Sequence, residues 1–291
     1  MKAVHLVYYP QVKRAVDYYV ASSCYRGEKI TRVEEFEEGS LDLGELVILG
    51  RGSHFHHYDL RHIDLLRDRG KLPGGHETTL VLYDWHEDLD HDPRGTQLGN
   101  GTWAYVGLMN DMYANVYVVG VNPRGFNELN SFLFDQEEVR PTSEETLRLL
   151  DRVCLYPSVS GYYCLKLFPE CEQFLRENPS VDRHFVVPEG GFVVVKFNGS
   201  ESVVYKDRKA AVVVSVDLDV LRRSELRSDC PQGAMSVDGL LTHFDRLRQT
   251  GPINAFLLCG LTESQDEQDE ASLQSVARVL SRCSEVLGGS E

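Results

Sequence analysis

No run of apolar residues in the 291-residue chain approaches the roughly 18 that a membrane-spanning helix requires; even Ala210–Val214 is short. Basic charge is scarce as well. Lys and Arg number 30 against 45 Asp and Glu, which leaves a formal net charge of −15 and a sequence pI near 5.1. That balance argues against a nucleic-acid partner, because displacing phosphate counterions takes a basic footprint. It equally disfavours docking on anionic lipid, so neither nucleic acid nor membrane is expected as a partner. The stretch from Met1 to Val7 turns strand-like at once, without the h-region or cleavage site of a signal peptide. The seven cysteines (24, 154, 164, 171, 230, 259, 283) are odd in number and show neither CxxC nor zinc-ribbon spacing. They read as reduced, mostly buried thiols, and a cytoplasmic location is the expectation. No repeat, low-complexity stretch or linker divides the chain, so a single domain over 1–291 is expected.

What is present is ordinary for a globular protein: 42% hydrophobic and 26% charged residues exclude wholesale disorder. Short β-rich runs recur at Ala3–Tyr8, Leu46–Leu49, Thr79–Tyr83, Val116–Val121, Phe192–Phe197, Ala211–Val216 and Ala255–Cys259. Runs without polar alternation, such as Val212-Val213-Val214-Ser215-Val216, suit strands buried on both faces. Amphipathic segments at Ser143–Cys154, Val237–Gln249 and Ser272–Leu287 predict helices between them. This alternation predicts an α/β fold with a mostly parallel sheet covered by helices. The segment 156–207 fits the alternation least well and reads as an insertion or hairpin, with turns at Gly190-Gly191 and Asn198-Gly199.

The chemistry gathers at strand ends. The apolar run Leu80–Tyr83 leads into Asp84-Trp85-His86-Glu87-Asp88, where alternate residues of extended backbone point the same way. Val212–Val216 leads likewise into Asp217-Leu218-Asp219. A third run, Val47-Ile48-Leu49, turns on Gly50 and Gly52 and delivers His54, with His56 and His57 beside it as alternative donors. Four carboxylates and an imidazole pair brought together would repel without a compensating cation. Divalent metals remove that repulsion, and a mixed His/Asp set suits Mn, Fe, Co or Zn better than Ca or Mg. The bland alternative for a lone DxHxD is a solvated polar loop, as Asp90, His91 and Asp92 illustrate. Two such motifs, each closing an apolar strand, favour metal. His5, His62, His76 and His184 read as ordinary surface or core histidines, and His243 as part of its helix.

These residues resemble the arginase–agmatinase (ureohydrolase) superfamily. The resemblance lies in Gly50-Arg51-Gly52-Ser53-His54, Asp84-Trp85-His86-Glu87-Asp88 and Ser215-Val216-Asp217-Leu218-Asp219. It continues in the turn Cys230–Leu240 and in Phe256–Glu263, where the family's last strand places a carboxylate for the guanidinium. It implies a three-layer α/β/α sandwich around a mostly parallel sheet, and two Mn²⁺ ions, with Zn²⁺, Fe²⁺ or Co²⁺ as alternatives. One ion would be held by His54, Asp84, Asp88 and Asp217, the other by Asp84, His86, Asp217 and Asp219, with a metal-bridging hydroxide as nucleophile. Asp88 would take the proton and Glu263 would hold a guanidinium bidentately. Against this stands Glu263 as one solvated acid in the run Glu263–Glu270.

One departure from the family pattern concerns its proton-shuttle histidine. The corresponding place reads Gly99-Asn100-Gly101-Thr102-Trp103. Asn100 can orient a substrate but carries no proton, and His91 is the nearby substitute. The stretch Gly99–Pro123 resembles a branch that contains peptide arginases. The implied activity is therefore hydrolysis of a C–N bond in a small cationic guanidino or amidino compound, or in an arginine-containing peptide. Superfamily relatives are often homo-oligomers. Two readings compete: a metal-dependent deacetylase using the tandem pair His56-His57, and a non-catalytic metal-binding relative.

Overall fold

The run Ala211–Asp217 is buried along its whole length, as expected of a strand covered on both faces. The computed structural model describes residues 4–33, 45–86, 88–89, 97–122, 152–158, 161–166, 185–186, 192–203, 205, 211–264 and 267–289. In chain order they form β1 (Val4–Tyr8), α1 (Lys13–Ala21), β2 (Lys29–Arg32), β3 (Glu45–Leu49), α2 (Tyr58–Asp68), β4 (Thr78–Tyr83), α3 (Trp103–Met109) and β5 (Asn115–Val119). Then follow β6 (Val153–Tyr156), β7 (Gly161–Lys166), β8 (Phe185–Val186), β9 (Phe192–Phe197), β10 (Ala211–Asp217), α4 (Val237–Gln249), β11 (Ala255–Cys259) and α5 (Glu270–Gly288).

Eight strands make one sheet in the order β2-β1-β3-β11-β10-β4-β5-β6, and every pairing in it is parallel. Parallel neighbours need crossover connections, and the helices supply them while covering the faces. Side chains alternate strictly. Ile48, Leu80, Leu82, Val213 and Leu257 pack with Leu60, Ile63 and Leu66 of α2 and Trp103, Ala104 and Leu108 of α3. Val47, Leu49, Val81, Tyr83, Val214, Val216, Phe256 and Leu258 pack with Val16 and Tyr19 of α1, Leu240, Phe244 and Leu247 of α4, and Val276 and Leu280 of α5. The result is the three-layer α/β/α sandwich. Ser236 caps α4 by accepting the Gly239 N–H, and Asp269 caps α5 by accepting that of Ser272.

Two differences from the sequence expectations stand out. Within the segment 156–207, β7, β9 and β8 form a separate three-stranded antiparallel sheet, so Phe192–Phe197 lies outside the central sheet. The helix expected over Ser143–Cys154 falls mostly outside the described residues, and its last two positions belong to β6 instead. There Val153 and Leu155 are buried while Cys154 and Tyr156 are half-buried, the period-two pattern of a strand. Among the described residues no helix is long and apolar enough to cross a membrane.

Candidate metal centre

Strands β3, β11, β10 and β4 are consecutive neighbours and parallel, so their carboxyl ends open onto one edge of the sheet. In open α/β sheets that edge is where ligands bind. Val216 pairs with Tyr83, so the residues that follow, Asp217 and Asp84, leave the sheet side by side. Both continue the alternation of Val213 and Leu82 towards the layer containing α2 and α3. Asp84, Asp88, Asp217 and Asp219 are all buried.

The imidazole that meets them is that of His56. After Gly52 the chain makes a single 3-10 turn, Ser53–Phe55, and passes through His56 and His57 into α2. His56 Nδ1 lies 3.1 Å from Asp84 Oδ2, 2.9 Å from Asp88 Oδ2 and 3.6 Å from Asp217 Oδ2. Its other nitrogen, Nε2, is 2.7 Å from Ser215 Oγ. The Ser215 hydroxyl donates to Asp59 Oδ2 at 2.6 Å, which leaves its oxygen to accept from His56 Nε2–H. In the neutral ring that a metal requires, Nδ1 is thereby the nitrogen with the lone pair, aimed at three carboxylates.

A second group lies alongside. His86 Nδ1 is 3.2 Å from Asp219 Oδ2 and 3.5 Å from Asp84 Oδ1. Backbone donors fix these acids: His86 N–H to Asp84 Oδ1 at 2.7 Å, Trp85 N–H to Asp219 Oδ1 at 3.2 Å, and Asp219 N–H to Asp217 Oδ1 at 2.9 Å. The Ser53 hydroxyl donates to Asp217 Oδ1 at 2.8 Å. Asp88 sits at φ 54°, a left-handed conformation unusual outside glycine, and the Trp103 indole N–H donates to its Oδ2 at 2.5 Å. The peptide N–H groups of Ala104 and Tyr105 donate to the Asp88 carbonyl at 3.1 and 3.4 Å, so α3 clamps both ends of that residue. Gly260, just beyond β11, has φ 90°, and a Cβ there would stand 2.0 Å from Asp217 Oδ1.

The electrostatics are those of a buried acid cluster. Burial, then the charges of Asp219 and Asp84, pushes Asp217 up to about 8. Burial and Asp84 push Asp219 up to about 7. Burial also raises Asp88, against the pull of His56 and Trp103. Burial alone would depress His86, but the Asp219 and Asp84 carboxylates outweigh it and raise the imidazole to about 12.

Three observations fit this cluster to divalent cations. Nδ1 of His56 and Oδ2 of Asp219 are buried without a hydrogen-bond partner. The groups His56/Asp84/Asp88 and Asp84/His86/Asp219 each hold ligand atoms within 4.8 Å of one another and share Asp84. The donor chemistry, imidazole and carboxylate, is that of Mn, Fe, Co and Zn sites.

The remaining sequence expectations fare differently. His54 is exposed and enters no such group, whereas His56, one of the alternative donors beside it, enters two. In a 3-10 turn successive side chains rotate by about 120°, so positions 54 and 56 face different ways. His91 lies outside the described residues. Asn100 sits on an exposed turn, away from the carboxylates' hydrogen bonds, and from the same stretch it is Trp103 that reaches Asp88. Glu263 lies four residues beyond the end of β11 and is engaged by the chain itself. Arg51 Nε and Nη2 donate to its two oxygens at 2.9 and 3.3 Å, and the Arg51 guanidinium also stacks 3.6 Å over the Phe55 ring. His243 is in α4 against Tyr83, and burial lowers it to about 4. Sequence reasoning did not single out Ser53, Asp59, Arg51 or Cys259. For Asp59 a signal existed, three residues beyond His56 at the start of a helix.

No known family model matches the chain, and no curated protein sequence matches it. Solved structures do. Formimidoylglutamase from Bacillus subtilis superposes with a TM-score of 0.56 at 13% identity, covering 98% of this chain and 87% of that one. Arginase from Bacillus caldovelox gives 0.56 at 10% identity, covering 97% and 98%. Proclavaminate amidino hydrolase from Streptomyces clavuligerus gives 0.57 at 13%, covering 100% and 93%. At such identities the likeness establishes the fold.

Proposed function

We propose, from the premise that this chain has the arginase–agmatinase fold, that it is a binuclear metal-dependent hydrolase cleaving a guanidino or amidino C–N bond. We read 1–291 as one domain in which the antiparallel sheet is an insertion. The observation that carries the reading is the convergence of His56, Asp84, His86, Asp88, Asp217 and Asp219 at adjacent strand ends, with two buried ligand atoms lacking partners. The named relatives hydrolyse related bonds by their names alone, an amidino group in one and a formimidoyl group in another. Fold by itself does not fix activity, so the site has to.

His56, Asp84, Asp88 and Asp217 would hold one ion and Asp84, His86, Asp217 and Asp219 the other. Bound there, divalent ions supply the Lewis acidity that makes water nucleophilic near neutral pH. The protein's own groups do the rest. Ser215 and Asp59 keep the His56 ring in the tautomer that presents Nδ1. Trp103 fixes Asp88 Oδ2, leaving Oδ1 to take a proton from the attacking water and return it to the leaving nitrogen. The acidic rim, where Asp229 accepts the Glu263 N–H at 3.2 Å, favours a cationic substrate, either a small guanidino compound or an arginine-containing peptide. The deacetylase alternative needs His56-His57 as an acid–base pair. His56 faces the carboxylates, which supports reading it as a ligand and not as half of such a pair.

The test is direct. Protein loaded with Mn²⁺, or with Zn²⁺, is assayed for urea, ammonia or ornithine from arginine, agmatine, guanidinobutyrate, a formimidoyl amino acid and an arginine-containing peptide. Turnover of one of these that chelator abolishes is the expected result. No turnover of any, with two metals per chain verified, rejects hydrolysis and leaves a metal-binding relative.

A further inference from the structure

One side chain at the centre stands outside the ligand set that the family resemblance implies. Cys259 closes β11 and pairs with Asp217 across β10 in parallel register, so the two side chains leave the sheet in step. Its sulfur and the ligand atoms of His56 and Asp217 lie within 4.8 Å of one another, and all three residues are buried. A buried cysteine ordinarily serves as a small apolar filler. Here the thiol instead lies beside the His56 ring and the Asp217 carboxylate. His56 Nδ1, an orphaned buried atom, is turned to the same carboxylates. Nitrogen, oxygen and sulfur therefore converge on one position from three different chain segments.

We infer that Cys259 binds the metal at the His56 position as a thiolate, and that this sulfur turns the centre from manganese towards zinc, iron(II) or cobalt(II). The inference rests on the metal-centre reading above and adds a ligand to it. The bond formed is metal–sulfur, the bond broken is S–H, and the proton passes to solvent without any change of oxidation state. Thiolate is a soft donor, and in a mixed N/O/S set it favours those ions over manganese, whose partners are carboxylate and water. Asp217 stays the neighbouring oxygen donor, so the centre becomes asymmetric: an N/O/S position beside an N/O position at His86.

The experiment loads metal-free protein with cobalt(II), counts bound ions, and records the near-ultraviolet thiolate-to-cobalt charge-transfer absorption. The expected result is a band in the wild type that persists in Cys230→Ser and disappears in Cys259→Ser. Competition between Mn²⁺ and Zn²⁺ should shift towards manganese by about tenfold or more in Cys259→Ser, the scale of losing one donor. X-ray absorption of the zinc-loaded wild type needs no variant that has to fold, and should show sulfur at about 2.3 Å from zinc. Cobalt bound without the band, the band surviving Cys259→Ser, or zinc surrounded only by nitrogen and oxygen would each overturn the inference while leaving the metal centre intact. Failure to bind any metal would remove both.

Discussion

The guanidinium of Arg51 grips the carboxylate of Glu263 through two hydrogen bonds and lies over the Phe55 ring. An internal arginine thus occupies the acid that the family resemblance assigns to a substrate's guanidinium. Gly52 N–H adds a third contact, 3.4 Å to Glu263 Oε1, and the next residue, Ser53, donates to Asp217, a proposed metal ligand. A guanidinium entering the proposed site would have to compete with this pair.

Removing that competitor should be visible in kinetics. For a guanidino substrate that is turned over, Arg51→Ala is expected to lower KM about fivefold with kcat little changed, the scale of a partly exposed ion pair of about 1 kcal/mol. Glu263→Gln should raise KM. A rise in KM on Arg51→Ala would mean that Arg51 itself binds the substrate, through an anionic group.

The two histidines make a second contrast. His56→Ala should abolish metal binding at one position, read as the loss of one equivalent in a metal count, whereas His54→Ala should keep both equivalents. Equal loss in the two variants would overturn the assignment of His56.

Asp217 should show opposite signs in the two states of loading. In metal-free protein above about pH 8, where Asp217 is ionised, Asp217→Asn removes a buried charge that Asp219 and Asp84 repel, and the melting temperature should rise by about 2–4 °C per kcal/mol relieved. In metal-loaded protein the same change removes a ligand and Tm should fall. Calorimetry with and without chelator separates the two.

The pH dependence has a definite sign. Asp217 and Asp219 titrate near 8 and 7 in the fold, against about 3.9 in an unfolded chain. Between about pH 4 and 8 the folded metal-free state therefore holds more protons, so its stability is greatest at the acid end and declines as pH rises. His86, raised to about 12, contributes in the same sense above its unfolded value of about 6.5. Chelator-treated protein should lose Tm from about pH 5 to 8.5, and metal affinity should climb over the same interval as protons leave. A flat or rising Tm would contradict this account.

Trp103→Phe keeps an aromatic ring but removes the donor to Asp88 Oδ2. The expected cost is about 10- to 100-fold in metal affinity, measured by competitive titration with a chromophoric chelator. Unchanged affinity would confine Trp103 to packing.

The parts legible in the sequence were those governed by period-two geometry. Asp84 and Asp217 continue the alternation of two apolar strands onto one edge, and the short motifs they open bring His86, Asp88 and Asp219 to the same place. The helices over Val237–Gln249 and Ser272–Leu287 were legible from their apolar spacing, and α4 has those bounds. Illegible parts are those where the chain leaves a regular period. A 3-10 turn exchanges His54 for His56. The left-handed Gly260 ends β11 and takes Glu263 out of register with the strand. Cys259 looked like one more apolar strand residue, because nothing in AFLLC tells that its last side chain meets an imidazole. Trp103 required knowledge of where α3 lies against Asp88, a long-range relation that no local pattern encodes.

The strand order has a consequence for how the chain is made. β3 and β4 leave the ribosome one after the other, yet they are not neighbours; β11 and β10, synthesised near the end, fill the gap between them. Until then the growing chain carries two half-sheets whose facing edges are open, the condition under which nascent proteins stick to one another or recruit chaperones. His56 and Ser215, hydrogen-bonded in the finished fold, are separated by 159 residues. Metal bound at the proposed centre would therefore load after the last strands have slotted in, and a loaded centre would certify a completed sheet.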